Sequence, residues 1–509
     1  MRVSPGLALA ALLSLLSSGC VVGPDYARPA LAQPDQFHSS AGLSAREALA
    51  TAELAHWWDG FNDPLLSTLV QEALGDNLEL AQATARITQS RALLGAARAA
   101  LLPSAALGAQ AARAHQSVQS PLGRVLDGVS PNFDRDGSYY EADLEASWEL
   151  DFFGGRRRDR EAAKAELAAS EASAAAVRLG VAAQTADTYL LIRGLEDRLA
   201  IAREQASAQR RLLDTVKRQY DAGVAAELQW RQAESLLYQT ESTVPALESA
   251  LEAALNALDI GLGAQPGTHR EKLLAAGALP AAPAIANAGG PADLLRRRPD
   301  LIAAERRLAA SNAAIGSAIA EYYPRVSLKG LIGTATTSFG GLFSGGANQA
   351  QASVGLRWRL FDFARIDAEI AASRGRYSEA LAAYKLAVLQ ASGDVENAIT
   401  ALVRSEEQER LLAAGEQALA RAHETSLAAY QSGTVSLVEV LDADLRLLAT
   451  RDARAVARTT SARSAVASFK ALGGGWDVSA PVEQANVTPV ESAPAPKRQP
   501  VDLAPHSAG

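Results

Sequence analysis

Two stretches of the chain alternate apolar and polar residues with a period of two. Tyr140, Ala142, Leu144, Ala146, Trp148 and Leu150 are separated by Glu141, Asp143, Glu145, Ser147 and Glu149; Val354, Leu356, Trp358 and Leu360 are separated by Gly355, Arg357 and Arg359. This alternation predicts strands with one apolar and one polar face. Partner strands are expected at about 105–115 and 326–337, after Pro103 and Pro324. The segments at about 118–137 and 338–347 are rich in Gly, Ser, Pro or Asp and read as loops, giving hairpins at about 105–152 and 326–360. Elsewhere the apolar spacing shifts to three and four. Pro-free, Ala- and Leu-rich runs at about 155–220 and 365–430 predict two helices of about 65 residues, each a rod of roughly 98 Å. Turns at Tyr220–Gly223 and Tyr430–Gly433 reverse the chain, with Gly supplying the left-handed conformation such a turn needs.

The two halves are a tandem repeat. Gly95 and Gly316, like Pro103 and Pro324, stand 221 positions apart. Trp148 and Trp358, Tyr220 and Tyr430, and Gly223 and Gly433 stand 210 apart, the drop reflecting a shorter second loop. Each half reads helix, strand, strand, long helix, turn, helix. The expected organisation is a signal peptide at 1–19, an N-terminal segment at 20–65, a first repeat at 66–263, a linker at 264–292, a second repeat at 293–476 and a disordered tail at 477–509.

Composition narrows the function. Leu7 to Leu16 is an apolar run too short to span a membrane and typical of a secretory signal. It is followed by small residues and Cys20, the single cysteine. The segment resembles a lipobox, with Ser17 where an aliphatic residue is usual, and Cys20 is the expected lipidation site; the alternative is an ordinary secretory cleavage with a free thiol. A formal charge of −8 without a basic tract argues against nucleic-acid binding. No other apolar run reaches 18 residues, so a membrane crossing would have to be a β-barrel. No catalytic motif, metal-ligand spacing or cofactor loop is present, and no enzyme activity, metal or cofactor is expected.

Strand alternation alone fits a soluble half-buried sheet as well as a barrel wall. The long helices after each hairpin favour the wall. Four strands cannot close a barrel and open edges are not tolerated in lipid, so several copies would have to share one barrel. These arguments leave the number of copies open.

Several motifs make the chain similar to the outer-membrane factors of resistance-nodulation-division efflux systems, the OprM and NodT branch of the TolC superfamily. They are Cys20 to Pro29, Trp57-Trp58 with Phe61 to Leu65, Ala92 to Pro103, Trp148 to Arg156, Asp293 to Leu301 and Tyr430 to Asp442. The resemblance covers about residues 20–476. It implies a mixed α and β membrane protein: a homotrimer with a shared twelve-stranded transmembrane barrel, a long α-helical barrel and an equatorial collar. It further implies an exit duct in the outer membrane, lipid-anchored and extending into the periplasm, that works with a periplasmic adaptor and an inner-membrane pump. The alternative is a non-transporting periplasmic or surface coiled coil.

The resemblance also assigns roles to residues. Leu144, Trp148, Val354, Leu356 and Trp358 would face outer-membrane lipid. Tyr220, Gly223, Tyr430 and Gly433 would form the tip turns that meet the adaptor. Val438, Glu439 and Asp442 would constrict the pore at the periplasmic tip; the alternative is a pair of solvated surface carboxylates. From the residues themselves, Tyr220 and Tyr430 are expected either to make hydrogen bonds between neighbouring helices or to serve in plain packing. Arg296-Arg297-Arg298 reads as surface or inter-subunit salt bridging rather than an anion site.

Overall fold

The structure, a computed structural model, describes residues 21–39, 51–129, 134–275, 277–285 and 290–476. Cys20, the signal segment and the tail from 477 lie outside them. The chain divides into two units: Met1–Ala32, Ile87–Ala172 and Asp300–Leu389; and Gln33–Arg86, Ser173–Pro299 and Gln390–Gly509.

The elements in chain order are β1 (Thr51–Ala52), α1 (Pro64–Asp76), α2 (Leu78–Ala99), β2 (Ser104–His115), α3 (Pro121–Val129), β3 (Asp136–Leu150) and α4 (Gly155–Asp221). Then follow α5 (Glu227–Glu241), α6 (Thr243–Gly261), α7 (Arg270–Leu274), β4 (Ala284–Ile285), α8 (Pro291–Arg297), α9 (Pro299–Ala320), β5 (Arg325–Thr336), β6 (Asn348–Arg357), α10 (Phe363–Gln431) and α11 (Leu437–Ala471).

The first unit holds an antiparallel sheet in the order β2-β3-β5-β6. Its hairpins obey the repeat: Ser104 pairs with Ser147, and the positions 221 and 210 further on, Arg325 and Arg357, pair likewise. A second echo lies where helix meets strand. Trp148 Nε1 donates to the Leu101 carbonyl at 3.0 Å, and Trp358 Nε1 donates to the equivalent Tyr322 carbonyl at 2.9 Å. The indoles thus satisfy carbonyls that the ends of α2 and α9 leave without helical partners. The N-terminal segment is pinned to the same unit. Val22 N donates to the Phe153 carbonyl, buried Arg158 donates to the Val22 and Gly23 carbonyls and to Asp25, and Asn312 donates to the Pro24 carbonyl. Gly23 (φ +93°) lies so close to Gly316 that a Cβ would sit 2.4 Å from its Cα.

The second unit is built round a core of Trp57, Trp58, Phe61 and Leu66 with Tyr189 and Leu190 of α4, Leu255 and Leu258 of α6, Leu273, Leu279 and Phe469. Trp57 stacks on Phe469 at 5.5 Å. Asp63 caps α1 by accepting from Leu65 N and Leu66 N, with Pro64 at the first helical position. It also accepts from the Tyr189 hydroxyl at 2.6 Å. Burial, with that carboxylate second, pushes the Tyr189 phenol up to about 12. Arg193, buried over the Tyr189 ring, donates to the Leu273 carbonyl and so fixes the linker between the repeats to α4.

Three features depart from the sequence reading. The segment read as a loop at 118–137 contains α3, a nine-residue helix. The second hairpin ends sooner: β6 stops at Arg357, so Trp358 and Leu360 lie beyond it, and Phe361 follows at φ +67°. The helix after the first long rod is broken at Ser242, because Pro245 has no N–H for the Glu241 carbonyl and its ring crowds that turn; α11, without Pro, runs unbroken for 35 residues. Of the three arginines at 296–298, Arg298 forms its ion pair with the exposed carboxylate of Asp394. The Arg298 side chain is largely buried and also donates to the Ala391 and Ala471 carbonyls of its own chain.

Candidate functional site

The sheet has two chemically distinct faces, set by period-two alternation carried across four strands. On one, the rows Leu107–Leu144–Ile332–Ala350, Trp148–Leu328–Val354 and Leu150–Val326–Leu356 run strand to strand. Leu144, Trp148, Val354 and Leu356 are exposed on this apolar face, and Trp358 is exposed just past β6. Near the hairpin loops Tyr140 meets Phe339 edge to face at 5.5 Å. Tyr140 and Trp148 are eight residues apart, about 26 Å along the strand at ~3.3 Å per residue. A barrel tilt of 35–45° reduces this to roughly 20 Å, close to the height of an outer-membrane apolar band.

The opposite face is polar. Ser104, Ser147, Lys329 and Ser353 form one row, and Gly108, Asp143, Gly333 and Gln349 another. Gln349 Nε2 donates to Asp143 Oδ1 at 2.8 Å and to Glu141 Oε1 at 3.0 Å. Asp143 lies flat and buried across Gly333, where a Cβ would stand 1.9 Å from its Oδ1. Sequence reasoning missed this bridge; the signal for it was a glycine inside a strand. Among the described residues strands β2 and β6 each have one neighbour, leaving an unpaired edge on either side of the sheet.

In the second unit the two helix turns share one design. Gly223 (φ +73°) donates to the Tyr220 carbonyl, and Gly433 (φ +75°) donates to the Tyr430 carbonyl. Their side-chain surroundings differ. Tyr220 stacks on Trp230 at 5.3 Å, and the Arg231 guanidinium lies 3.8 Å over the Trp230 ring. The Tyr430 hydroxyl donates to Gln219 Oε1 on α4 at 2.8 Å, and burial raises its pKa.

Val438, Glu439 and Asp442 are exposed on the first turns of α11. Arg446 Nε, one turn further on, donates to Asp442 at 2.9 Å and offsets part of its charge. A third carboxylate, Asp444, was missed. It is buried and accepts from Gln205 Nε2 and Gln209 Nε2 of α4, with His423 Nε2 of α10 3.5 Å away. Two glutamines four apart on α4, and an acidic residue repeated in the first half as Glu234, were its traces in the sequence. Among the described residues no cluster of three potential ligands could hold a metal ion, and no helix is long and apolar enough to cross a membrane.

Comparison with known proteins agrees with this geometry. The family model described as outer membrane efflux protein matches residues 69–264 and 290–474. Nodulation protein T of Rhizobium leguminosarum bv. viciae is 30% identical over 467 residues, spanning 92% of this chain and 93% of that protein. Outer membrane protein OprJ of Pseudomonas aeruginosa is 31% identical over 482 residues, spanning 93% and 97%. The solved structure of the outer-membrane channel OprN superposes with a TM-score of 0.81 at 31% identity, covering 90% of this chain and all of that one.

Proposed function

The chain belongs to the outer membrane efflux protein family, whose members serve as outer-membrane exit ducts of efflux pumps, and from that premise we propose that three copies close one barrel by pairing β6 of each with β2 of the next. The apolar face turns to lipid, and the polar face with Lys329, Glu141 and Asp143 lines the lumen. The observation that carries this reading is the pair of unpaired edges on a sheet whose outer face is apolar, since lipid supplies no hydrogen bonds to open edges. Within the chain Leu144 faces Ile332. Shifting these by the repeat offsets of 210 and 221 puts Val354 opposite Ala111 of the partner subunit. Both residues lie on the apolar face of their strands, so the register preserves the faces.

Lipid on Cys20 tethers the assembly to the membrane. The turns around Tyr220–Gly223 and Tyr430–Gly433 meet a periplasmic adaptor that links the duct to an inner-membrane pump of the resistance-nodulation-division type. Val438, Glu439 and Asp442 line the constriction. Their carboxylates converge by symmetry, and Arg446 tempers their repulsion.

Cysteine cross-linking in outer membranes tests the register. An Ala111→Cys/Val354→Cys variant should form disulfide-linked species ending at three chains. The off-register Ala111→Cys/Leu356→Cys variant should not. Equal cross-linking of the two, or a ladder extending beyond three, would overturn the arrangement.

A further inference from the structure

At the hairpin end of the sheet the apolar face continues into an aromatic and cationic rim that barrel closure does not require. Phe339 and Phe343 of the second hairpin loop are both three-quarters exposed. Their loop folds back over the outer face: Phe339 packs edge-on against Tyr140, and Phe343 N donates to the hydroxyl of Thr334, which stands on the same face. Phe343 holds this position at φ +68°, a conformation that is strained for a side chain of its size. A strained backbone of this kind persists where its surroundings hold it.

Past the Tyr140 row stands Arg113, exposed on the same face and opposite Ser138. Among the described residues no carboxylate pairs with it, and Asp136 on that face is engaged by His115. The other hairpin loop carries α3, which gathers Leu122, Val125, Leu126 and Val129 on one face and turns Arg124 and Asp127 the other way. Leu122, Val125 and Val129 are exposed.

We propose that this rim is a binding surface for a phosphorylated glycolipid of the outer leaflet. Phe339 and Phe343 enter the acyl–sugar boundary, α3 lies on it, and Arg113 pairs with a headgroup phosphate. Continuity with the lipid-facing sheet selects lipid over a protein partner. The order of groups along the strand, apolar rows, then aromatics, then an unpaired guanidinium, matches the order acyl chain, interface, phosphate. Arginine suits the last place because its planar fork binds phosphate through two bonds.

The inference rests on the apolar face meeting lipid, and its test reads the two separately. Purified full-length protein in detergent is titrated with lipid A, with dephosphorylated lipid A and with phosphatidylglycerol. Arg113→Gln should weaken lipid A binding on the order of tenfold, equivalent to about 1.4 kcal/mol, and should leave dephosphorylated lipid A unaffected. Phe339→Ala/Phe343→Ala should weaken both glycolipids. Lys329→Gln, a cation removed from the polar face, should change neither. Unaltered lipid A binding by Arg113→Gln, or wild-type affinity for phosphatidylglycerol equal to that for lipid A, overturns the proposal. In vesicles, brominated acyl chains should quench the fluorescence that Trp148→Phe/Trp358→Phe removes. Quenching without an Arg113 effect leaves the barrel face standing and rejects the glycolipid site; absence of quenching rejects the face itself.

Discussion

Replacing Asp444 by Ala should unlock the tip without unfolding the protein. The carboxylate is 5% exposed and takes hydrogen bonds from Gln205 and Gln209, so it ties α11 to α4 two residues beyond Asp442. Truncation leaves two buried amides without an acceptor, at about 1–3 kcal/mol each. The sum, about 2–6 kcal/mol, falls on the first turns of α11, where a small core of Val216, Leu437 and Val440 packs with half-buried neighbours. The core around Trp57, Tyr189 and Phe469 is made of other residues and should hold. Since about 1.4 kcal/mol is tenfold in an equilibrium, local opening should rise at least ~30-fold. Amide hydrogen exchange should show faster exchange in 437–447 with unchanged protection around Tyr189, and planar-bilayer recordings should show higher leak conductance. Asp444→Asn, which keeps one acceptor oxygen, should fall between. Wild-type exchange in 437–447 together with wild-type leak in Asp444→Ala would refute the idea that this node holds the tip.

Three further outcomes follow from the geometry. Glu439→Ala/Asp442→Ala should abolish block by multivalent cations in bilayer recordings while leaving assembly intact, and Arg446→Gln, which frees Asp442, should strengthen the block. Leu144→Arg should impair barrel assembly, by up to roughly 2–4 kcal/mol per chain near the bilayer midplane, whereas Glu145→Arg on the polar face should assemble normally, as judged by heat-modifiable oligomers on gels. Burial would raise the Glu396 carboxyl, but hydrogen bonds from Ser39 and His38 outweigh it and hold the group below its ordinary value. A carboxyl depressed on folding contributes its stability fully above the unfolded value, about 4.3, and loses it as pH falls through the folded value. Proteolysis near residues 33–39 should therefore rise on acidification through that window, and Glu396→Gln should flatten the dependence.

What could be read from the sequence was whatever repeats with a short period. Alternation placed the two hairpins, absence of proline placed the two long helices, and the paired offsets gave the tandem architecture. What escaped depends on groups meeting across the fold. The α3 apolar positions have helical spacing, but Pro121, Gly123 and Gly128 gave the segment the composition of a loop. The Gln349 bridge and the Asp444 node each join residues more than 200 positions apart, and no local pattern marks such pairs. Trp148 and Trp358 were read as lipid-facing aromatics from the apolar face of their strands together with the family resemblance. Their N–H groups are committed to carbonyls 47 and 36 residues away, which makes them struts as well as surface.

The clamp on the N-terminal segment has a mechanical corollary. A lipid-bearing residue is usually imagined on a leash, free to wander while the protein takes its position. Here the carbonyls of Val22, Gly23 and Pro24 are already engaged by Arg158 and Asn312, and Gly23 is wedged against Gly316. The proposed lipid on Cys20 would join the chain two residues before this clamp. Tension on the acyl chains would pass straight into the head of α4 and the strand ends beside it, and a spacer inserted after Cys20 would turn a rivet into a cord while changing no residue of the pore.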